Sequence, residues 1–214
     1  MLSAGRRSGR DADSGATLVE LIVAMALLLA LLGIFMAAVV TMSRATVRAQ
    51  NTEANAAGLR RVYQALDRGL RSATAVNAPV LQGGTWYLEY QNGVVRAGDP
   101  PTCTQWKVDG GSASVSYRSW PTDVATPTAT AWRRIADGVA VPSGRPPFTL
   151  QPAGATYATQ RLLVDLPARA GATRGSGLQA QIVALNTSMA TVTNTIDPAT
   201  GASATQVCQE VSRS

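Results

Sequence analysis

Two cysteines, a set of scattered carboxylates and a cluster of arginines are the side chains of this 214-residue sequence that could do chemistry. There is no His, which removes His-assisted Ser or Cys nucleophiles and every His-ligated metal site. Cys103 and Cys208 are too few for a four-Cys zinc site or an iron–sulfur cluster, and their spacing is not that of a CxxC redox pair. The carboxylates Asp99, Asp109, Asp123, Asp137, Asp165, Asp197 and Glu210 are spread singly, mostly in turn-like contexts such as Asp197-Pro198. A turn Asp serves as an Asx-turn or cap far more often than as a catalyst. No D-x-[DN]-x-[DN]-G calcium loop is present, and neither are the G-x-x-x-x-G-K-[ST], G-x-G-x-x-G and G-x-S-x-G signatures. The sequence points away from an enzyme, and no catalytic residue, metal or cofactor is expected.

One carboxylate stands apart. Glu20 abuts Leu21–Val40, LIVAMALLLALLGIFMAAVV, a run of 20 residues without a charge. At ~1.5 Å per residue a helix of this length covers ~30 Å, the thickness of a bilayer core. Twelve of the 20 are Leu, Ile, Val or Phe, each favouring insertion by roughly 0.3 to 0.6 kcal/mol. No face of the helix is polar, so it is a membrane span or a fully buried helix. An ionisable group beside a span is a candidate functional site, against the plainer reading that Glu20 sits at the interface and reaches into water.

The string before the span is specific. Ser14-Gly15-Ala16-Thr17-Leu18-Val19-Glu20 follows a short leader with Arg6, Arg7 and Arg10 and opens the apolar run. It resembles the class III signal of type IV prepilins and type II secretion pseudopilins, with Ala16 where Phe is usual. The resemblance implies that residues 1–15 are a leader cut after Gly15 by a membrane prepilin peptidase. Ala16 would become the N-terminus, commonly methylated in this family. Glu20 would offer its carboxylate to the N-terminal amine of a neighbouring subunit, with Thr17, Leu18 and Val19 completing the motif. Some family members lack this Glu and sit at the tip, so its presence implies a place below a tip subunit. Two other kinds of leader fit less well: a twin-arginine signal needs an apolar pair that does not follow Arg6-Arg7, and an ordinary secretory signal has an apolar core of only about 7–15 residues. Three Arg before the span and two after it weakly favour an N-terminus inside.

Beyond the span, Leu59, Val62, Tyr63, Leu66, Leu70 and Ala73 recur on one helical face, with arginines between them. One helix from about Ala16 to about Ala75 is expected, its first part (16–42) in the membrane and its second (43–76) amphipathic. Net charge concentrates here: residues 44–71 carry Arg44, Arg48, Arg60, Arg61, Arg68 and Arg71 against Glu53 and Asp67. The plain reading is a solvated helix face, and the other is contact with acidic neighbours in a filament. Tyr63 is the only aromatic in the stretch, which leaves nucleic acid a lesser candidate. After Pro79 the pattern turns β-like. TWYLEY (85–90) with Asn92-Gly93 and Val94-Val95 predicts one hairpin. TQWKV (104–108) with Asp109-Gly110 and the alternating Ala113, Val115 and Tyr117 predicts a second. Further strands are expected over Phe148–Gln151, Gln160–Leu166 and Leu178–Leu185. Residues 121–127 and 142–147 read as loops; the Thr/Ala/Ser-rich stretch 187–206 reads as a loop over Asp197–Ser203, with a strand candidate at its end.

The expected fold class is α+β: a long N-terminal transmembrane and amphipathic helix packed on a C-terminal antiparallel β domain (77–214), pilin-like. The order of segments is most similar to a J-type minor pseudopilin, on LRRVYQALDRGLRSATA (59–75), Cys103–Trp106 with Ser116–Trp120, and the late VALNTSMATVTNT. The resemblance implies a single-pass cytoplasmic-membrane protein with an extracytoplasmic head. Its partners would be other major and minor pilins or pseudopilins and the prepilin peptidase. Cys103, placed in a loop before the TQWKV strand, and Cys208 then fall where disulfides persist. A bridge would close a loop of about 105 residues, worth up to ~4.7 kcal/mol in the chain-entropy account. Two unrelated thiols are the alternative. A single-span anchored binding protein unrelated to pili is the alternative class.

Overall fold

The structure is a computed structural model describing residues 17–94, 97–141, 144–168 and 177–213. The chain divides into two units, Met1–Val47 and Arg48–Ser214. One helix, α1 (Leu18–Arg71), supplies all the regular structure described in the first unit. Every residue from Thr17 to Val47 is exposed there. The helix is long and apolar enough to cross a membrane, and none of its most apolar stretch is buried. Thr41 and Thr46 donate to the carbonyls of Ala37 and Met42 at 2.8 and 3.0 Å, the i−4 bond a helical Thr can make.

The second unit begins with the amphipathic part of the helix. Its apolar spacing of three and four buries Leu59, Val62, Leu66 and Leu70 as one stripe. Nine strands follow among the described residues: β1 (Ala73–Val76), β2 (Val80–Gln82), β3 (Thr85–Asn92), β4 (Thr102–Asp109), β5 (Ser114–Pro121), β6 (Arg133–Asp137), β7 (Phe148–Gln151), β8 (Arg161–Leu166) and β9 (Leu178–Val183). The first six make an antiparallel sheet in the order β1-β3-β4-β5-β6, with β2 also on β3; the last three make a second antiparallel sheet, β7-β8-β9. Alternation decides which side chains face the helix. Leu88 of β3 lies opposite Trp106 of β4, and Trp106 opposite Tyr117 of β5. Phe148, Leu162, Val164, Leu166 and Ile182 of the second sheet join them and the helical stripe in one core. The fold class is thus α+β with a long N-terminal helix and antiparallel sheets in a pilin-like layout.

Three local expectations need correction. The helix stops at Arg71 instead of running to Ala75, because side chains take its last carbonyls: Asn92 Nδ2 and Ser72 Oγ both donate to the Gly69 carbonyl, at 2.8 and 3.1 Å. The chain then pairs as β1 on β3. The same bond moves the first hairpin. Asn92 is engaged with the helix end and closes no turn with Gly93, so β3 runs on to Asn92 and returns as β4 after residues 93–101. Val94 is exposed outside any strand, and Val95 lies outside the described residues. Cys103 lies inside β4, paired with Gln91 and Trp120, and not in a loop before it. The second hairpin, β4–β5, and strands β7, β8 and β9 form where the alternation puts them.

Helix and first sheet approach closely at Gly69. A Cβ there would lie 2.1 Å from the Tyr90 hydroxyl. Tyr90 is 2% exposed and accepts a hydrogen bond from Trp106 Nε1 at 3.3 Å, so it has nowhere to go. Burial pushes its phenol above the usual tyrosine value. Gly→Ala in a helix interior ordinarily stabilises by ~1 kcal/mol. Here Gly69→Ala is expected to cost about 1–3 kcal/mol through overpacking, measured by denaturant unfolding; a raised midpoint would contradict the packing.

Candidate functional site

Three places carry the residues singled out in the sequence or brought together by the fold. At the start of α1, Thr17 stands at the N-cap position. Its Oγ1 accepts from the Glu20 amide at 3.3 Å, and its carbonyl accepts from the Leu21 amide at 3.1 Å. The Thr-x-x-Glu spacing is that of a capping box, and Glu20 also lies in the first turn, where the helix dipole favours a negative charge. Leu18 and Val19 are exposed in that turn. Gly15 and Ala16 lie outside the described residues.

The second place is the face of the first sheet away from the helix. Glu89, Gln105 and Arg118 stand in one row across β3, β4 and β5. Glu89 is 2% exposed and Gln105 fully buried, because the C-terminal segment lies over them. Cys208 bonds Cys103 of β4, with Cα atoms 5.6 Å apart. Asn77 then reads Val207 as a neighbouring strand would, donating to its carbonyl at 2.8 Å and accepting its amide at 3.0 Å. Arg213 reaches back to donate to both Glu89 oxygens, each at 2.8 Å. Gln105 Nε2 and Asn77 Nδ2 also donate to Glu89, at 2.7 and 3.1 Å. Arg118 donates to Gln105 Oε1 at 2.8 Å and to the Ser212 carbonyl. The Glu89 hydrogen bond holds the Arg213 guanidinium above the usual arginine value, whereas burial lowers that of Arg118. Lys107 and Arg118 both lie on the Trp132 ring, 4.2 and 4.4 Å from its centroid. The disulfide is therefore one tie of several in a strap. None of its polar partners could be chosen from the sequence, although TWYLEY does put Glu89 on the face opposite Trp86, Leu88 and Tyr90.

The third is a groove between α1 and β6 lined by Arg61, Arg68, Arg133 and Arg134. The helix contributes the arginines the sequence pointed to; β6 went unread because RRIAD lacks alternation.

The remaining carboxylates sit singly. Asp109 accepts from the amides of Gly111 and Ser112 and from the Ser112 hydroxyl, at 2.8, 3.3 and 2.7 Å, and the hydroxyl bond holds it below the usual carboxylate range. Asp197 accepts from the Ala199 amide at 2.8 Å and the Thr200 hydroxyl at 3.0 Å and is lowered likewise, chiefly by the amide. Asp137 and Asp165 pair with Arg134 and Arg145. Glu210 accepts from Trp120 Nε1 at 3.4 Å. No cluster of three His, Cys, Asp or Glu that could hold a metal occurs among the described residues.

Together these features define an α+β protein with one N-terminal helix able to span a membrane and a β domain strapped by a disulfide. No protein-family model, curated protein or solved structure matches the chain.

The strap rests on the Glu89–Arg213 pair. Arg213→Met leaves a buried carboxylate with only neutral partners and is expected to cost about 2–3 kcal/mol, below the full ~3–5 kcal/mol for an orphaned buried charge because two amides still bond Glu89. Adding Glu89→Gln should recover part of the loss in urea unfolding. A double variant no more stable than Arg213→Met would contradict the assignment of that cost to the orphaned charge.

Proposed function

We propose that the chain is a minor pilin or pseudopilin, a membrane-inserted subunit that primes or caps a type IV pilus-like or type II secretion filament. The observation that carries the reading is the joining of Gly15-Ala16-Thr17-Leu18-Val19-Glu20 to an apolar helix whose most apolar stretch is exposed. A lone carboxylate entering a low-dielectric filament core is costly unless a cation meets it. In this reading the amine of a neighbour's N-terminus supplies that cation. The Cys103–Cys208 bridge suits an extracytoplasmic head. The reading assigns leader removal after Gly15 and methylation at Ala16, and it needs no catalytic residue in the chain.

The capped helix start makes a clean test available. Glu and Gln serve alike at the third position of a capping box, so Glu20→Gln removes the charge and keeps the cap. The variant should be inserted, cleaved and disulfide-bonded as the wild type. It should nevertheless lose membrane crosslinks to partner pilins, since breaking a buried pair costs about 3–5 kcal/mol and about 1.4 kcal/mol is tenfold in recruitment. Undiminished crosslinking and filament output would sink the pairing role and favour a single-span anchored binding protein.

A further inference from the structure

The groove between α1 and β6 has a volume of about 390 Å³. Arg61 and Arg68 are seven residues apart, two helical turns, and so share one face of α1. Arg133 and Arg134 of β6 line the groove from the other side, and β6 ends its sheet among the described residues. All four arginines are exposed. The one carboxylate in the lining, Asp137, is engaged by Arg134 at 3.2 Å. Arg61 and Arg68 have no acidic partner among the described residues. The two elements are held together independently of these charges: a Cβ at Gly58 would come within 3.2 Å of Ala136 Cβ. Packing thus brings four arginines to the lining of one cleft. Such an arrangement raises the local concentration of anions.

We propose that this groove docks an acidic segment of a different polypeptide, whose carboxylates take the paired hydrogen bonds guanidinium groups offer. The second unit of another copy is a poor occupant, because no two acidic residues within 48–214 are closer than ten positions. Single-stranded nucleic acid is a poor occupant too. It binds by stacking bases on aromatic rings, and the groove is lined by none; the exposed Tyr63 lines a separate groove on the β9 side of the helix. The proposal uses residues 48–214 alone and stands apart from any pairing by Glu20.

The test is fluorescence anisotropy of the full chain in neutral detergent micelles with a labelled decaglutamate peptide, at low salt, where screening is weak. Arg61→Gln/Arg68→Gln/Arg133→Gln/Arg134→Gln should weaken binding about tenfold or more, as expected for several modest exposed pairs acting together. Arg44→Gln/Arg48→Gln/Arg71→Gln/Arg145→Gln removes the same charge elsewhere and should leave binding nearly unchanged. Arg61→Gln/Arg133→Gln, one change on each element, should fall between the two and guards against a folding defect in the fourfold variant. Absence of wild-type binding, equal losses in the two fourfold variants, or tighter binding of a ten-nucleotide oligothymidylate would each overturn the proposal.

Discussion

Leu59, Val62, Leu66 and Leu70 form the contact on which both sheets of the β domain converge. A sheet that is apolar on one face must bury that face against another layer. The helical stripe gives them a shared floor. Burying a Leu or Val side chain stabilises by about 1.5–3 kcal/mol, so four in a row outweigh what any single surface interaction offers. Much else follows from seating this stripe. The close approach at Gly69 brings the helix end to Asn92, which ends α1 and sets how far β3 runs. The approach at Gly58 holds β6 beside the helix and creates the arginine-lined groove.

The opposite face of the first sheet has a different solution. A sheet with one face in a core and the other in water usually alternates apolar and polar residues. Here the outward row of Glu89, Gln105 and Arg118 is polar but buried, and the segment ending at Arg213 satisfies it. A buried polar network is favourable only when its members are partnered, and the ties made by Asn77, Cys208 and Arg213 keep that segment in place. Holding this segment with both a covalent and an ionic tie suits a domain that must keep its shape outside the cytoplasm, as the filament reading requires.

The sequence disclosed these layers unequally. The 3.6-residue period of Leu59–Leu70 and the alternation in Ala113–Arg118 are local signals, and the corresponding elements form where those signals lie. The Cys103–Cys208 pairing follows once there are only two cysteines and a bridge is assumed. The misread elements all depend on contacts distant in sequence. Asn92 looks like a turn residue until the helix end supplies its partner. Arg133–Asp137 has no strand pattern and becomes a strand on the edge of β5. Glu89 went unremarked, because its partner Arg213 lies 124 positions later. Turn propensity and alternation describe a segment's own preferences; tertiary partners decide the remainder.

The uncovered apolar helix is the feature the β domain leaves unexplained, and the proposed function accounts for it through a membrane and then a filament. Processing tests that account most directly, because an ordinary anchor needs only the ~30 Å of apolar length that Leu21–Val40 provides. The intact mass and N-terminal sequence of the full chain should be measured after co-expression with a prepilin peptidase. The account predicts a chain beginning at Ala16 in the presence of the peptidase and at Met1 in its absence. A chain left uncut by an active peptidase, or one trimmed within Ala38–Ala45 as an ordinary secretory signal would be, would contradict it.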